Sequence, residues 1–141
     1  MLDVTNIPDD TTIECDLQEL PSELVERVNL HLLENEEPYL CVFTKFFDGV
    51  AVNTLTVYRA VKVKAKLNKG KLIFTEYDAG SNSLIFSDFK GLTHTERGSH
   101  PTSYDLHLLG HSGSVEFHFK DKNLFLKFAR EVVTRAKQET K

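Results

Sequence analysis

The chain has no tryptophan, one methionine, four prolines and two cysteines in 141 residues. Cys15 and Cys41 form no Cys-x-x-Cys pair, so the spacing supports neither a zinc site nor a disulfide framework, and the thiols read as buried or idle. No apolar run approaches the roughly 20 residues of a membrane-spanning helix. Residues 1–10 lack the basic and apolar regions of a signal peptide, and a cytoplasmic location is the expectation. Dinucleotide, P-loop, zinc-protease and EF-hand patterns are also missing. Gly110-His111-Ser112-Gly113-Ser114 has serine where a nucleophile elbow needs its last glycine. The expectation is therefore a protein that is no enzyme and has no cofactor.

What is present suits one soluble domain, long enough to bury roughly 68% of its unfolded surface. Its net charge of −4 conceals an asymmetry. Residues 1–38 hold eleven acids and one base, Arg27, for −10; residues 39–141 sum to +6. The expected organisation is an acidic leader over 1–19, its first ten residues mobile, ahead of a domain over 20–141.

Pro21-Ser22-Glu23 predicts a helix over about 21–34, because proline suits the first turn and acids suit the positive end of the helix dipole. Leu24, Val25, Val28 and Leu32 share its apolar stripe. From Tyr39 the period changes to two and β-branched and aromatic residues dominate, which predicts strands over 39–47, 54–67, 71–77, 83–87 and 89–96. Gly110-His111-Ser112-Gly113 then turns one alternating run into another. Pairing Leu109 with Ser114 sets Leu108 against Val115, Leu106 against Phe117 and Tyr104 against Phe119, all apolar. A one-residue slip would bring polar residues inward against them, so the register is specified. Asp121 caps a final amphipathic helix over about 122–138, with Glu131 and Arg135 as an outer i,i+4 pair.

Helix, about seven short strands, then helix implies a β-sandwich or barrel closed by the last helix. Several segments resemble the bacterial pleckstrin-homology-like (PH-like) domain family. LPSELVERVNLHLLENEEPYL is similar to its leading helix. KLIFTEYD with SLIFSDFKGLTHTERG is similar to a recurring strand pair, and SVEFHFKDKNLFLKFAREV to the last strand running into the closing helix. The resemblance spans about residues 20–137. It implies a mainly β (α+β) fold: a bent, seven-stranded antiparallel barrel or sandwich closed by a C-terminal helix, with an extra N-terminal helix. It also implies an interaction module, since PH-like domains bind phosphoinositides, phosphopeptides or proteins, and many bind no lipid. The lipid-binding members carry a K-x(n)-K/R-x-R motif across their first two strands. Here Arg59 precedes the lysines and no K-x-R follows.

Between Gly49 and Thr75 every charge is positive: Arg59, Lys62, Lys64, Lys66, Lys69 and Lys71. Lys62, Lys64 and Lys66 share one strand face, with Val61, Val63, Ala65 and Leu67 on the other. Neighbouring ammonium groups about 7 Å apart in water repel by only about 0.6 kcal/mol, so the ladder needs no ligand. It fits a solvated strand, an edge included, where lysines discourage edge-to-edge pairing. It also fits an anionic partner, or the chain's own acidic leader. The hairpin register places His107, Glu116, Asp105 and His118 on one outer face. Zinc accepts these residue types, but two cross-strand histidine–carboxylate pairs explain them equally, and no metal is assigned.

The expected function is a non-catalytic, protein-binding interaction module whose ligand surface comprises the six cations from Arg59 to Lys71. Two alternatives stand beside it. One is peripheral binding to anionic membrane lipid through the lysines. The other is single-stranded nucleic-acid binding, with Tyr58, Phe46, Phe47 or Tyr77 stacking on bases.

Overall fold

The alternating segments fold into two antiparallel sheets with helices packed on them. A computed structural model describes residues 2–74, 82–98 and 101–139. In chain order the elements are β1 (Thr11–Glu14), α1 (Ser22–Asn29), β2 (Leu40–Lys45), β3 (Gly49–Leu55), β4 (Arg59–Asn68), β5 (Lys71–Ile73), β6 (Ser83–Ile85), β7 (Phe89–Arg97), β8 (Ser103–Gly110), β9 (Ser114–Phe119) and α2 (Lys122–Glu139). The larger sheet runs β1-β2-β3-β4-β5, with β6 also paired to β4; the smaller runs β7-β8-β9. Expected strand residues 75–77, loop residues 78–81 and turn residues 99 and 100 lie outside the described residues.

The larger sheet is apolar on both faces, and this organises the molecule. Leu40, Val42, Leu55 and Ala60 turn toward the smaller sheet and α2, packing with Phe117, Phe119, Phe125 and Phe128. Cys41, Phe43, Val50, Val52, Val61 and Val63 turn the other way and are covered by α1 and the N-terminal segment. Such double coverage explains why every residue of β2 and β3 is buried. The β8–β9 hairpin has the predicted register from Leu109↔Ser114 to Tyr104↔Phe119. Asp121 Oδ1 accepts from the Leu124 N–H at 2.9 Å, capping α2 as predicted.

Two local expectations, a strand and a helix end, are corrected, and the acidic leader, expected as a loop or short extended piece, packs against the larger sheet. β1 pairs with β2, Val4, Ile7 and Leu17 are buried in the second core, and Lys45 Nζ donates to Ile7 O at 2.7 Å. The expected long strand 54–67 is two strands. Thr56 Oγ1 accepts from the N–H groups of Tyr58 and Arg59, and Thr56 N–H donates to Arg59 O, so a threonine hydroxyl makes a turn without glycine or proline. The first helix ends at Asn29 rather than near 34. His31 and Leu32 continue in tighter i→i−3 turns, and Glu36 Oε1 then accepts the Leu33 N–H. With β1 and the divided strand, nine strands are present among the described residues, and the expected sandwich with its closing helix stands.

Candidate interaction cleft

Strand β4 takes its place from its neighbours: β3 on one side, β5 and β6 on the other. On that second side β5 covers Lys66–Asn68 and β6 covers Arg59–Val61, so protection against edge pairing does not account for Lys66. Alternation sends Val61, Val63 and Ala65 beneath α1 and puts Lys62, Lys64 and Lys66 on the face of Ala60, which looks toward the smaller sheet. Lys62 and Lys64 are consequently half-buried, while Lys66, at the open end, is exposed.

There the sheets part around a cleft of about 350 Å³, lined by Phe46, Asp48, Gly49, Lys64, Lys66 and His118. The β2–β3 turn supplies Phe46, whose ring meets the His118 imidazole edge-on at 6.4 Å between centroids. Gly49 is required by the close approach of β4, because a Cβ there would lie 2.5 Å from Ala65 O. Asn53 Nδ2 and Thr44 Oγ1 donate to His118 O at 3.2 and 3.4 Å. Thr12 Oγ1 accepts the Lys120 N–H at 2.7 Å and lies 2.9 Å from Thr44 Oγ1. Side chains of β1, β2 and β3 thus hold the end of β9 against the larger sheet.

His118 is oriented from behind. Its Nδ1 lies 2.7 Å from Asp105 Oδ1, and Arg97 reaches the other Asp105 oxygen at 2.6 Å. Burial pushes the Asp105 carboxyl up, but the hydrogen bond and charge of His118, with Arg97, hold it below the usual carboxylate range. With Nδ1 engaged, Nε2 is the ring nitrogen left for an occupant of the cleft. Asp105, Glu116 and His118 bring possible metal-ligand atoms within 4.8 Å of one another. Asp105 is only 2% exposed, however, and the Arg97 guanidinium already neutralises it, so the constellation favours the histidine–carboxylate pairs over a cation. His107 and Glu116 make the second such pair at 3.3 Å.

The six candidate cations do not converge on one surface. Lys64 and Lys66 line the cleft, and Lys62 sits further along the same face opposite Asn53. Lys69 lies in the β4–β5 turn, and Lys71 opens β5, where it lines a separate hollow with Asp3, Thr5 and Glu23. Arg59 lies at the far end of β4, where it pairs with Glu36 at 2.8 Å. Among the described residues, Lys64, Lys66, Lys69 and Lys71 form no ion pair. Tyr58 is in the turn beside Arg59, far along β4 from the cleft, and Tyr77 is outside the described residues. Sequence reasoning did not join His118 to the lysines. Its parity on β9 was readable, but the approach of β9 to β4 is a contact between sheets that no local pattern records.

Neither a protein-family model nor a curated protein matches the chain. A solved structure does. The crystal structure of a DUF1696 family protein with a pleckstrin-homology domain, from Shewanella loihica PV-4, matches with a TM-score of 0.56 at 12% identity, covering 89% of this chain and 97% of that one. Among the described residues no helix is long and apolar enough to cross a membrane. Two antiparallel sheets, a C-terminal helix across them and this structural match together give the chain a PH-like α+β fold.

Proposed function

We propose that the protein is a non-catalytic interaction module that recognises a protein partner by an anionic group seated between Lys64, Lys66 and His118. One observation carries this reading. At this end of the molecule the acidic N-terminal segment neutralises Lys45 through Asp9 at 3.1 Å and Lys120 through Asp10 at 3.4 Å, whereas Lys64 and Lys66, which share the cleft with Asp48, form no ion pair among the described residues. A carboxylate or phosphate in the cleft would gain charge-assisted hydrogen bonds, each contributing about 1.5 to 3 kcal/mol. The Phe46 ring offers apolar surface beside them.

Amide-shift mapping tests this with inorganic phosphate and with matched acidic and neutral peptides. Salt-sensitive shifts clustered at Lys64, Lys66 and His118, abolished in Lys64→Glu/Lys66→Glu, support the proposal. Shifts that survive the double charge reversal refute it.

A second reading has its own support. Phe47, at the tip of the β2–β3 turn, is 86% exposed, and Lys66 pairs with Gly49 at the same end of the sheet. An exposed aromatic beside basic residues suits an anionic membrane surface, where each well-placed lysine contributes about 1 kcal/mol. Sedimentation with phosphatidylserine-containing and neutral vesicles separates the two. Binding that needs both anionic lipid and Phe47, in a protein deaf to acidic peptides, would favour the membrane.

A further inference from the structure

Cys15 and Cys41 are 26 positions apart in sequence but adjacent in the fold. Strands β1 and β2 pair antiparallel up to Glu14↔Val42, and Cys15↔Cys41 is the next rung, with the Cys15 N–H donating to Cys41 O at 3.1 Å. Cα atoms of a hydrogen-bonded antiparallel rung lie about 5.5 Å apart, inside the range that a disulfide spans. The two Sγ atoms are already 3.9 Å apart. The sites differ in access, since Cys15 is half-buried while Cys41 is buried.

We infer that Cys15 and Cys41 are an oxidative modification site, closing to an intramolecular disulfide by exchange with a low-molecular-weight disulfide of the glutathione type. The Cys15 thiolate attacks one sulfur of the reagent, forming a mixed disulfide and expelling one thiolate, which takes up the proton Cys15 released. Cys41 loses its proton and attacks Cys15 Sγ, expelling the second reagent thiolate, which is protonated in turn. Two protein thiols are oxidised, and one reagent disulfide is reduced to two thiols. The order follows from environment as well as access. The Cys41 thiol hydrogen-bonds the Cys15 thiolate and lowers the Cys15 pKa despite burial and nearby Glu19, Asp16 and Glu14. The same hydrogen bond, together with burial, pushes Cys41 up.

The cross-link would fasten β1, and with it the acidic segment that holds Lys45 and Lys120, covalently to its neighbour β2. Cys15 is the attacking thiol and Cys41 the resolving one.

The full chain, incubated with oxidised glutathione, is analysed by intact mass, by thiol alkylation after denaturation and by peptide mapping. The expected result is loss of both thiols together, a mass lower by two hydrogens, one Cys15–Cys41 peptide, and slower amide exchange across Thr11–Glu14 than in the reduced protein. A persistent glutathione adduct, a covalent dimer or two surviving thiols would overturn the inference. Cys15→Ser, checked for folding by its melting curve, should leave Cys41 unmodified. Modification of Cys41 in that variant at the wild-type rate would show that strand opening, not the pair, governs its reactivity, and would equally overturn it.

Discussion

Glu36 Oε2 lies 2.8 Å from Arg59 Nε, with the two side chains only 2% and 13% exposed. Glu36 also accepts the Thr56 hydroxyl and the Leu33 N–H, so one carboxylate joins the segment after α1 to the turn between β3 and β4. An acid of the N-terminal region thus completes the fold at one end of β4, while Lys64 and Lys66 toward the other end line the cleft. Removing one partner of a buried pair leaves the other charge uncompensated. Glu36→Ala should therefore destabilise the protein by about 3 to 5 kcal/mol. Chemical denaturation gives the value, and a loss below about 1 kcal/mol would mean that water reaches Arg59 and replaces the pair.

The same node explains a turn that lacks the usual turn residues. Thr56→Ala removes the acceptor for two N–H groups and the donor to Glu36, and should cost about 1 to 3 kcal/mol. Thr56→Ser keeps the hydroxyl and should stay near wild type. Equal melting temperatures for the two variants would locate the stability of the turn in the threonine methyl group instead.

How much of this was readable in the sequence depended on where each interaction partner sits. The β8–β9 register was fully legible because two alternating runs flank a glycine turn, and both halves of the information are local. The turn at Thr56 was not, since the carboxylate that completes it is 20 residues away. Strand β1 has four residues and one buried side chain, too short to show a period, and its Thr12 is explained only by Thr44 and Lys120. Alternation sorted the lysines of β4 from its valines correctly. It could not say that the valines meet a second core under α1 while the lysines face the other sheet, because both partners come from distant segments that leave no mark in the strand's own alternation.

Acid should destabilise the protein through two carboxyls. Burial pushes Glu36 up, but Thr56, the Leu33 N–H and Arg59 outweigh it, and His118 with Arg97 does the same for Asp105, so both titrate below their ordinary values. Between the folded and unfolded pKa values the unfolded chain binds more protons, so stability rises with pH there. The contribution is complete above the unfolded values of about 3.9 for Asp and 4.3 for Glu, and it is lost as pH falls through the folded ones. Asp105→Asn should cost about 1 to 3 kcal/mol at neutral pH and flatten the acid limb of the stability curve. An acid limb as steep as that of wild type would remove Asp105 from the explanation.

Gly49 couples stability to the cleft. An added Cβ would lie 2.5 Å from the backbone oxygen of Ala65 and 3.4 Å from Lys66 Cα, and no side-chain rotation relieves a backbone clash. Gly49→Ala should therefore push β4 away from β3 at the residues that carry the cleft lysines, costing about 1 to 3 kcal/mol as overpacked sites do. Thr56→Ala, similarly destabilised but placed at the far end of β4, serves as the control. If the cleft depends on the close approach of these strands, Gly49→Ala shifts the Lys64 and Lys66 amide resonances and weakens acidic-peptide binding, while Thr56→Ala does neither. Equal effects from both variants would mean that binding follows global stability, and the strand contact at Gly49 would have no special part in shaping the site.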